Sequence, residues 1–494
     1  MGGPIILVLL SACLMLLSFP PFNYFPLAFI APLFFLGDVV QAPSLRSAIK
    51  KGLLFGLIFM GFFHCWMFTL AHWSSGAAIT VLWAAFMLYL CLFYGLFAAV
   101  LFFFKDRLWT IPLLWTGMEY LKSIGPLGNP SGTLGYSQTH FLTFLQLASF
   151  GGVYFLSFGI LTISTLLLNC FLPIPFQVPK KCRNIVIIAL LALSIFAVHE
   201  YTIPNPKPTL TVSVVQPNHS QEDKLDSNKW PTLRYDFLIL NQTILENTNS
   251  RVIFWPETIT PGLNLNHPLF MNELSTLSQH YKATILFGTP IQRENKYYNS
   301  IALVNQNGES PLTYDKRLLM PFGEYWPGRT IFYSIGLKKI IPESDFSPGS
   351  NDTLIPISTA LDAPKVGCAV CLESLYPWFF RDNTNHGAEF LFTAVNNAWF
   401  FNSSVAEKHL QMTTVRAVEN HRYVLQSANT GLSAIISPKG ELISKLSLNE
   451  RGILTKKIAL SHSKTIYSKI GESWLLFLIA LSGLILGLQK LRKN

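Results

Sequence analysis

A multi-pass α-helical membrane domain of about eight spans, joined to a water-exposed α/β domain, is the architecture that this sequence predicts. Three observations predict it. The chain has 494 residues, of which 50% are hydrophobic and only 13% charged, whereas globular soluble chains carry roughly 25% charged residues. Apolar runs near or above the roughly 18–20 residues needed to cross a bilayer fill the N-terminal part. A polar block from about 209 to 472 then separates these runs from a last one at 474–488.

The apolar runs place spans at about 4–19, 25–40, 52–72, 78–104, 109–124, 142–170, 184–201 and 473–490. The fifth is short and contains Glu119 and Lys122. Loop charge argues that it crosses, because cytoplasmic loops are enriched in Lys and Arg. Arg46, Lys50 and Lys51 follow the second span, Lys105 and Arg107 the fourth, Lys180, Lys181 and Arg183 the sixth, and Lys490, Arg492 and Lys493 the last. The intervening loops at 20–25 and 72–76 carry no Lys or Arg. That alternation puts both termini inside and the polar block outside. The expected domains are a seven-span membrane domain at 1–203, an extracytoplasmic domain at 204–472, and a final helix with a basic tail at 473–494.

The first run lacks a basic leader and a small-residue cleavage site, so it reads as a retained helix rather than a signal peptide. The net charge of +10 partly reflects the inside loops and tail. No aromatic-studded basic patch suggests nucleic-acid binding. Of seven cysteines, only Cys368 and Cys371 fall in the polar block. This C-x-x-C pair has no second pair or histidine cluster beside it, which argues against zinc. Strand alternation points the two side chains to opposite faces, which argues against a disulfide between them.

Within the polar block, strands are expected at 210–215, 252–254, 283–288, 300–304, 366–371 and 390–395, with a helix at 235–245. Strands alternating with helices indicate an α/β domain, and such folds place their sites at strand ends. Three ionisable residues stand there. Glu257 follows Trp255-Pro256 and sits among apolar neighbours whose desolvation suits a general base. Lys316 lies in Thr313-Tyr-Asp-Lys-Arg-Leu-Leu-Met-Pro-Phe-Gly-Glu-Tyr-Trp-Pro327, where charged residues alternate with bulky apolar ones as in a pocket wall. A cation there can stabilise the oxyanion of a tetrahedral intermediate and lower the pKa of a nearby thiol. Cys371 is the candidate nucleophile, forming a thioester when it attacks an ester or amide. Taken singly, each has a blander reading: Glu257 as a cap or surface carboxylate, Lys316 as a solvated cation, and Cys371 as a structural thiol.

In order, the motifs are Phe254-Trp-Pro-Glu257, Tyr314-Asp-Lys316, Pro321-Phe-Gly-Glu324, Cys371-Leu-Glu373 and Asn396-Asn-Ala-Trp399. This set resembles the nitrilase (carbon–nitrogen hydrolase) superfamily with its Glu-Lys-Cys triad. Together with the spans, Leu134-Gly-Tyr-Ser-Gln138 and Arg416-Ala-Val-Glu-Asn420, it resembles the membrane-bound apolipoprotein N-acyltransferase branch. The resemblance implies an αββα four-layer sandwich beside eight helices. It implies Glu257 as base, Lys316 as oxyanion cation, Cys371 as nucleophile, Glu324 as support for the lysine and base, and Glu373 as the acidic residue after the cysteine. The implied reaction is ping-pong: Cys371 takes an acyl chain from a phospholipid, and the α-amine of a diacylglyceryl-cysteine lipoprotein attacks the thioester. No metal or diffusible cofactor is implied. The partners are the phospholipid, the apolipoprotein and the bacterial inner membrane, and the chain is expected to be a monomer with its catalytic domain in the periplasm.

Two positions depart from the pattern. Leu372 stands where the family commonly has Tyr, and Leu225 where it has Trp, with Trp230 further on. An aromatic rim of Phe322, Tyr325, Trp326 and Trp399 is expected to seat lipid, since aromatic rings favour the membrane interface. Two competing functions share parts of this pattern. A membrane-tethered amidase or nitrilase would use the same triad on soluble substrates. A transporter would need ionisable residues within its spans, and those present, such as Asp38, Glu119 and Lys122, sit mostly near span ends.

Overall fold

The computed structural model describes residues 3–171, 180–202, 207, 209–259, 261–262, 265, 267–310, 312–334, 345–350 and 354–491. Arg492 and Lys493, used above to orient the last span, lie outside the described residues. Helices α1 (Gly3–Leu17), α2 (Leu27–Val40), α3 (Leu45–Phe63), α4 (Gly76–Phe103), α5 (Ile111–Ser123), α6 (Leu142–Leu145), α7 (Ala148–Phe171) and α8 (Lys180–Thr202) come first. Then follow β1 (Leu210–Gln216), α9 (Gln221–Leu225), α10 (Trp230–Asn247), β2 (Val252–Phe254), α11 (Pro268–Tyr281), β3 (Thr284–Arg293), β4 (Lys296–Val304), β5 (Thr313–Asp315) and α12 (Arg329–Ser334). The chain continues with β6 (Ile355–Pro356), β7 (Lys365–Val370), α13 (Pro377–Asn385), β8 (Phe390–Val395), α14 (Val405–Asn420) and β9 (Val424–Ala428). It ends with β10 (Ala434–Ile436), β11 (Leu442–Lys445), β12 (Gly452–Ile458), α15 (Ile466–Ile470) and α16 (Ser473–Leu491). These elements form two compact units, one of 1–204, 402–419 and 465–494, the other of 205–401 and 420–464.

The first unit is helical. Among its described residues, α4 and residues 148–170 of α7 are long and apolar enough to cross a membrane. A third span results if α3 and the 3-10 helix at Cys65–His72, bent by 43°, count as one. Helices α1, α2 and α16 are apolar but shorter, and the 13 residues of α5 cover only about 20 Å at 1.5 Å per residue. Ser44 and Ser75 cap α3 and α4 by accepting the Ser47 and Ala78 N–H groups. The two helices meet closely at Gly52 and Gly56, where a Cβ on Gly52 would lie 2.3 Å from the Tyr94 carbonyl oxygen. Small residues four apart serve this purpose where lipid removes the hydrophobic incentive to associate.

Several buried polar groups in this unit are paired within it. Glu119 Oε1 accepts from Trp115 Nε1 at 3.0 Å and from the Leu134 N–H at 2.8 Å, and Lys122 Nζ donates to the Ser131 carbonyl at 2.6 Å. The polar residues of α5 are therefore tied to the loop that follows it, including the Leu134-Gly-Tyr-Ser-Gln138 motif. Helix α7 breaks at Gly151 and Gly152, the latter at φ +74°. Glu419 on α14 accepts the Val153 N–H freed by this break at 2.8 Å, while Trp474 Nε1 donates to the Gly151 carbonyl at 2.9 Å. Glu419 also pairs with Arg416 at 3.0 Å, and Arg416 donates to the Tyr136 hydroxyl at 3.0 Å. The two family-like motifs outside the polar strands thus meet around one helix break.

The second unit is an α/β sandwich. Its described strands form two six-stranded sheets, in the orders β12-β1-β2-β3-β4-β5 and β11-β10-β9-β8-β7-β6. Strands β1, β2 and β3 are parallel to one another, as are β7, β8 and β9. These central strands are almost wholly buried, and β2, β7 and β8 so read as largely apolar runs rather than alternating ones. The sheets face each other. The Phe254 ring lies 4.8 Å from that of Phe392, and Ser427 Oγ donates to the Val215 carbonyl at 2.7 Å. Helices α10 and α11 cover the first sheet with Phe237, Ile244, Phe270 and Leu274 packed on Val215, Ile253, Trp255, Ile285 and Phe287. Helix α13 packs on β7 in the second sheet. The layers run helix, sheet, sheet, helix.

Candidate active site

The C-terminal ends of β2 and β7 and the loops after β1 and β5 deliver the chemistry. After β2, Trp255 donates its backbone N–H to Leu286 and Ile259 to Gly288, so the turn between them is pinned to β3. Thr258 takes φ +49° within it, an uncommon conformation for a β-branched residue. Gly288 makes this possible: a Cβ there would lie 2.5–2.7 Å from Pro256 O, Glu257 Cα and Thr258 N. Glu257 is thereby held, buried, just beyond the C-terminal end of the central strand β2.

Lys316 follows β5, and its backbone N–H donates to the Asn299 carbonyl at 2.8 Å. Its Nζ lies 2.8 Å from Glu324 Oε2 and 3.6 Å from Glu257 Oε1. Asn299, on β4, uses one amide nitrogen to bridge the two carboxylates, at 2.8 Å to Glu257 and 2.7 Å to Glu324. Glu324 Oε2 also accepts the Met320 N–H at 2.7 Å, which fixes the tight turn between them. Burial disfavours the Lys316 ammonium, but the carboxylates of Glu324 and Glu257 outweigh it and hold the group well above its ordinary range. The site carries a permanent cation.

Cys371 begins the turn after β7 at φ +49°. The sharp, left-handed departure turns the residue off the strand and leaves it partly exposed. Its thiol is nevertheless surrounded by protein, and burial pushes it well above its ordinary range, helped by the Glu257 carboxylate and opposed by Lys316 and by a hydrogen bond with the Asn396 backbone. Lys316 pulls the thiol down, as expected of a neighbouring cation, but burial and Glu257 outweigh it and favour the protonated form. Cys368, on β7, is buried, and neither cysteine is in a disulfide.

Glu373 does not face an open pocket. It is fully buried and accepts from Val370 N at 2.7 Å, Arg317 N at 2.6 Å, Leu318 N at 3.0 Å and Tyr314 Oη at 2.9 Å. One carboxylate thus ties the Cys371 turn to the Lys316 loop. Burial pushes it up to about 7, against the pull of Lys316 and the three backbone donors.

These are the residues that the sequence singled out, and the structure brings Glu257, Lys316, Glu324 and Cys371 into one charged cluster, with Glu373 as its clamp. Within the expected rim, Phe322 and Trp326 pack edge-to-face at 5.5 Å, and the Phe322 N–H donates to the Tyr325 carbonyl. Trp399 is carried separately, on a 3-10 turn at Ala398–Phe400 behind β8.

The family model for carbon-nitrogen hydrolases matches residues 211–466. The chain belongs to the carbon-nitrogen hydrolase family. Residues 11–166 match a second model, described as the apolipoprotein N-acyltransferase N-terminal domain. An apolipoprotein N-acyltransferase of Geobacter metallireducens is 28% identical over 99% of this chain and 96% of its own length. That of Coxiella burnetii is 29% identical over 93% and 95%. Among solved structures, a nitrilase-superfamily amidase from Nesterenkonia aligns with 55% of this chain and 97% of its own, at 15% identity and a TM-score of 0.40.

Within this hydrolase-family domain, the sequence reading missed Asn299 and Gly288. Each had a signal: an amide inside the apolar run of β4, and a glycine at the end of Ala283-Thr-Ile-Leu-Phe-Gly288. Of the departures, Leu225 is exposed, while Trp230 is partly buried, donates Nε1–H to the Lys224 carbonyl at 3.1 Å and packs where a Cβ on Gly262 would fall. Gly288→Ala tests the geometry of Glu257. The added Cβ must displace Glu257, and acylation of Cys371, followed as thioester formation, is expected to fall about 100-fold, as ångström-scale misplacement does elsewhere. An unchanged rate would show that the Gly288 contact does not position Glu257.

Proposed function

We propose that this chain transfers an acyl chain from a phospholipid, through a thioester on Cys371, to the N-terminal α-amine of a diacylglyceryl-cysteine lipoprotein. The observation that carries this reading is the buried Lys316, in contact with Glu257 and Glu324 and acting on the Cys371 thiol. Because that thiol rests protonated, a base must remove its proton at the moment of attack. Glu257 takes the Sγ proton as sulfur bonds to the ester carbonyl carbon. The resulting oxyanion forms beside Lys316, whose fixed charge stabilises it without reorganisation. Collapse breaks the ester C–O bond, and Glu257 returns the proton to the leaving oxygen, releasing a lysophospholipid. In the second half, the neutral α-amine attacks the thioester, Glu257 takes the amine proton, and the C–S bond breaks. The thiolate regains that proton, leaving an amide on the lipoprotein. Glu324 and Asn299 hold Lys316 and Glu257 in register throughout.

The membrane side of the proposal draws on the sequence. Eight spans with basic loops on one side place the domain at 204–472 in the periplasm of the inner membrane, between tethers at 1–203 and 473–494. A domain anchored at both ends is kept at the lipid surface where both substrates reside. The full-length similarity to enzymes named apolipoprotein N-acyltransferase supports this over a tethered amidase or nitrilase, which would need no such platform. Mass spectrometry of a lipoprotein N-terminus, from cells in which this chain is the sole N-acyltransferase, is the direct test. Amide-linked acyl is expected with the native chain and none with Cys371→Ala. Free N-termini in both, together with turnover of soluble amides, would favour the hydrolase.

Phe322, Tyr325, Trp326 and Trp399 form the lipid-seating rim of this proposal, with the exposed Phe322 packed on Trp326. Trp326→Ala is expected to slow acylation from phospholipid vesicles several-fold more than from short-chain soluble esters. Equal slowing with both donors would remove the rim from the account.

A further inference from the structure

Lys224 is almost fully buried, which lysine seldom is without a partner. It sits on α9, whose first residues are fixed at both ends of their contacts. Ser220 caps the helix by accepting the Asp223 N–H at 3.0 Å. Gln221 Oε1 accepts from Asn396 Nδ2 at 3.0 Å, so the helix is tied to the strand end whose backbone reaches the Cys371 thiol. From there, Lys224 Nζ donates to the backbone carbonyl of Glu257 at 3.3 Å. That carbonyl belongs to the peptide joining Glu257 to Thr258, the residue at φ +49°.

We propose that Lys224 is a positioning residue for the base: its ammonium fixes the strained Glu257–Thr258 peptide and acts on the Glu257 carboxylate from the other side of β2 to Lys316. The strand order supports the second half, because α9 follows β1 and Lys316 follows β5, and β1 and β5 lie on opposite sides of β2 in the same sheet, β1 next to it and β5 beyond β3 and β4. The proposal rests on the reading of Glu257 as the general base. The titratable groups coupled to Glu257 are Lys316 from the loop after β5, Cys371 after β7, and Lys224 itself, with Glu324 sharing Lys316. Burial lowers Lys224 to about 8, while the Glu257 carboxylate works in the opposite direction. The ammonium is therefore present below that pH, across the range in which a carboxylate base must stay ionised.

A carboxylate that loses a neighbouring cation becomes easier to protonate, by about one pH unit or more for a close charge. The acid limb of the acylation rate should respond. With full-length protein and vesicles of phosphatidylethanolamine bearing a labelled acyl chain, Lys224→Met is expected to move that limb up by about one unit, and Lys224→Arg to leave it in place. A lost packing contact would instead lower the rate equally at every pH. An acid limb that stays put in Lys224→Met, whether the rate is normal or uniformly reduced, overturns the proposal; Lys224→Gln replaces Lys224→Met if the latter does not fold. Glu257→Gln keeps the two readings apart: if it acylates normally, the base assignment fails, whatever Lys224 does.

Discussion

One ammonium buried among carboxylates is the constraint around which the α/β unit is built. Taking three charges out of water is costly, and their mutual attraction offsets this only with good geometry and satisfied hydrogen bonds. Lys316 meets that condition through Glu324, Glu257 and the bridging Asn299 amide. The surrounding backbone is arranged to hold it. The Glu373 clamp, the left-handed Cys371 turn and the close approach of Gly288 to Glu257 each fix one loop relative to another.

In the proposed mechanism the chemistry follows from which group carries the proton. A cation that never titrates in the working range and a thiol held in its neutral form divide the labour between them. The lysine serves charge that develops on oxygen. The carboxylate serves the proton that must leave sulfur. A thiolate at rest would need no base for its attack.

Much of this was legible in the sequence because strand ends announce themselves. Glu257, Lys316 and Cys371 each close an apolar or β-rich run, and buried parallel strands such as β7 and β8 are continuous apolar stretches. What stayed hidden was polar and buried. β9 carries Gln426 and Ser427 inside the sandwich, which breaks the apolar signal, and Asn299 and Lys224 look like ordinary surface residues until the fold encloses them. The sign of the Cys371 shift was equally inaccessible, since it depends on how deeply the thiol is packed. In the helical unit, Glu119 and Lys122 made α5 look doubtful. Their partners are Trp115 one turn earlier in the helix and the loop that follows it. Glu419 gave no hint that it caps a break in α7 more than 260 positions earlier.

The most direct test measures the acyl-enzyme itself. Full-length protein is mixed with phospholipid vesicles in the absence of any lipoprotein, and its intact mass is followed. The account predicts a gain of one acyl chain that hydroxylamine removes in the native protein, and no such gain in Lys316→Met with Cys371 intact. An adduct forming on Cys371 of Lys316→Met at the native rate would contradict it.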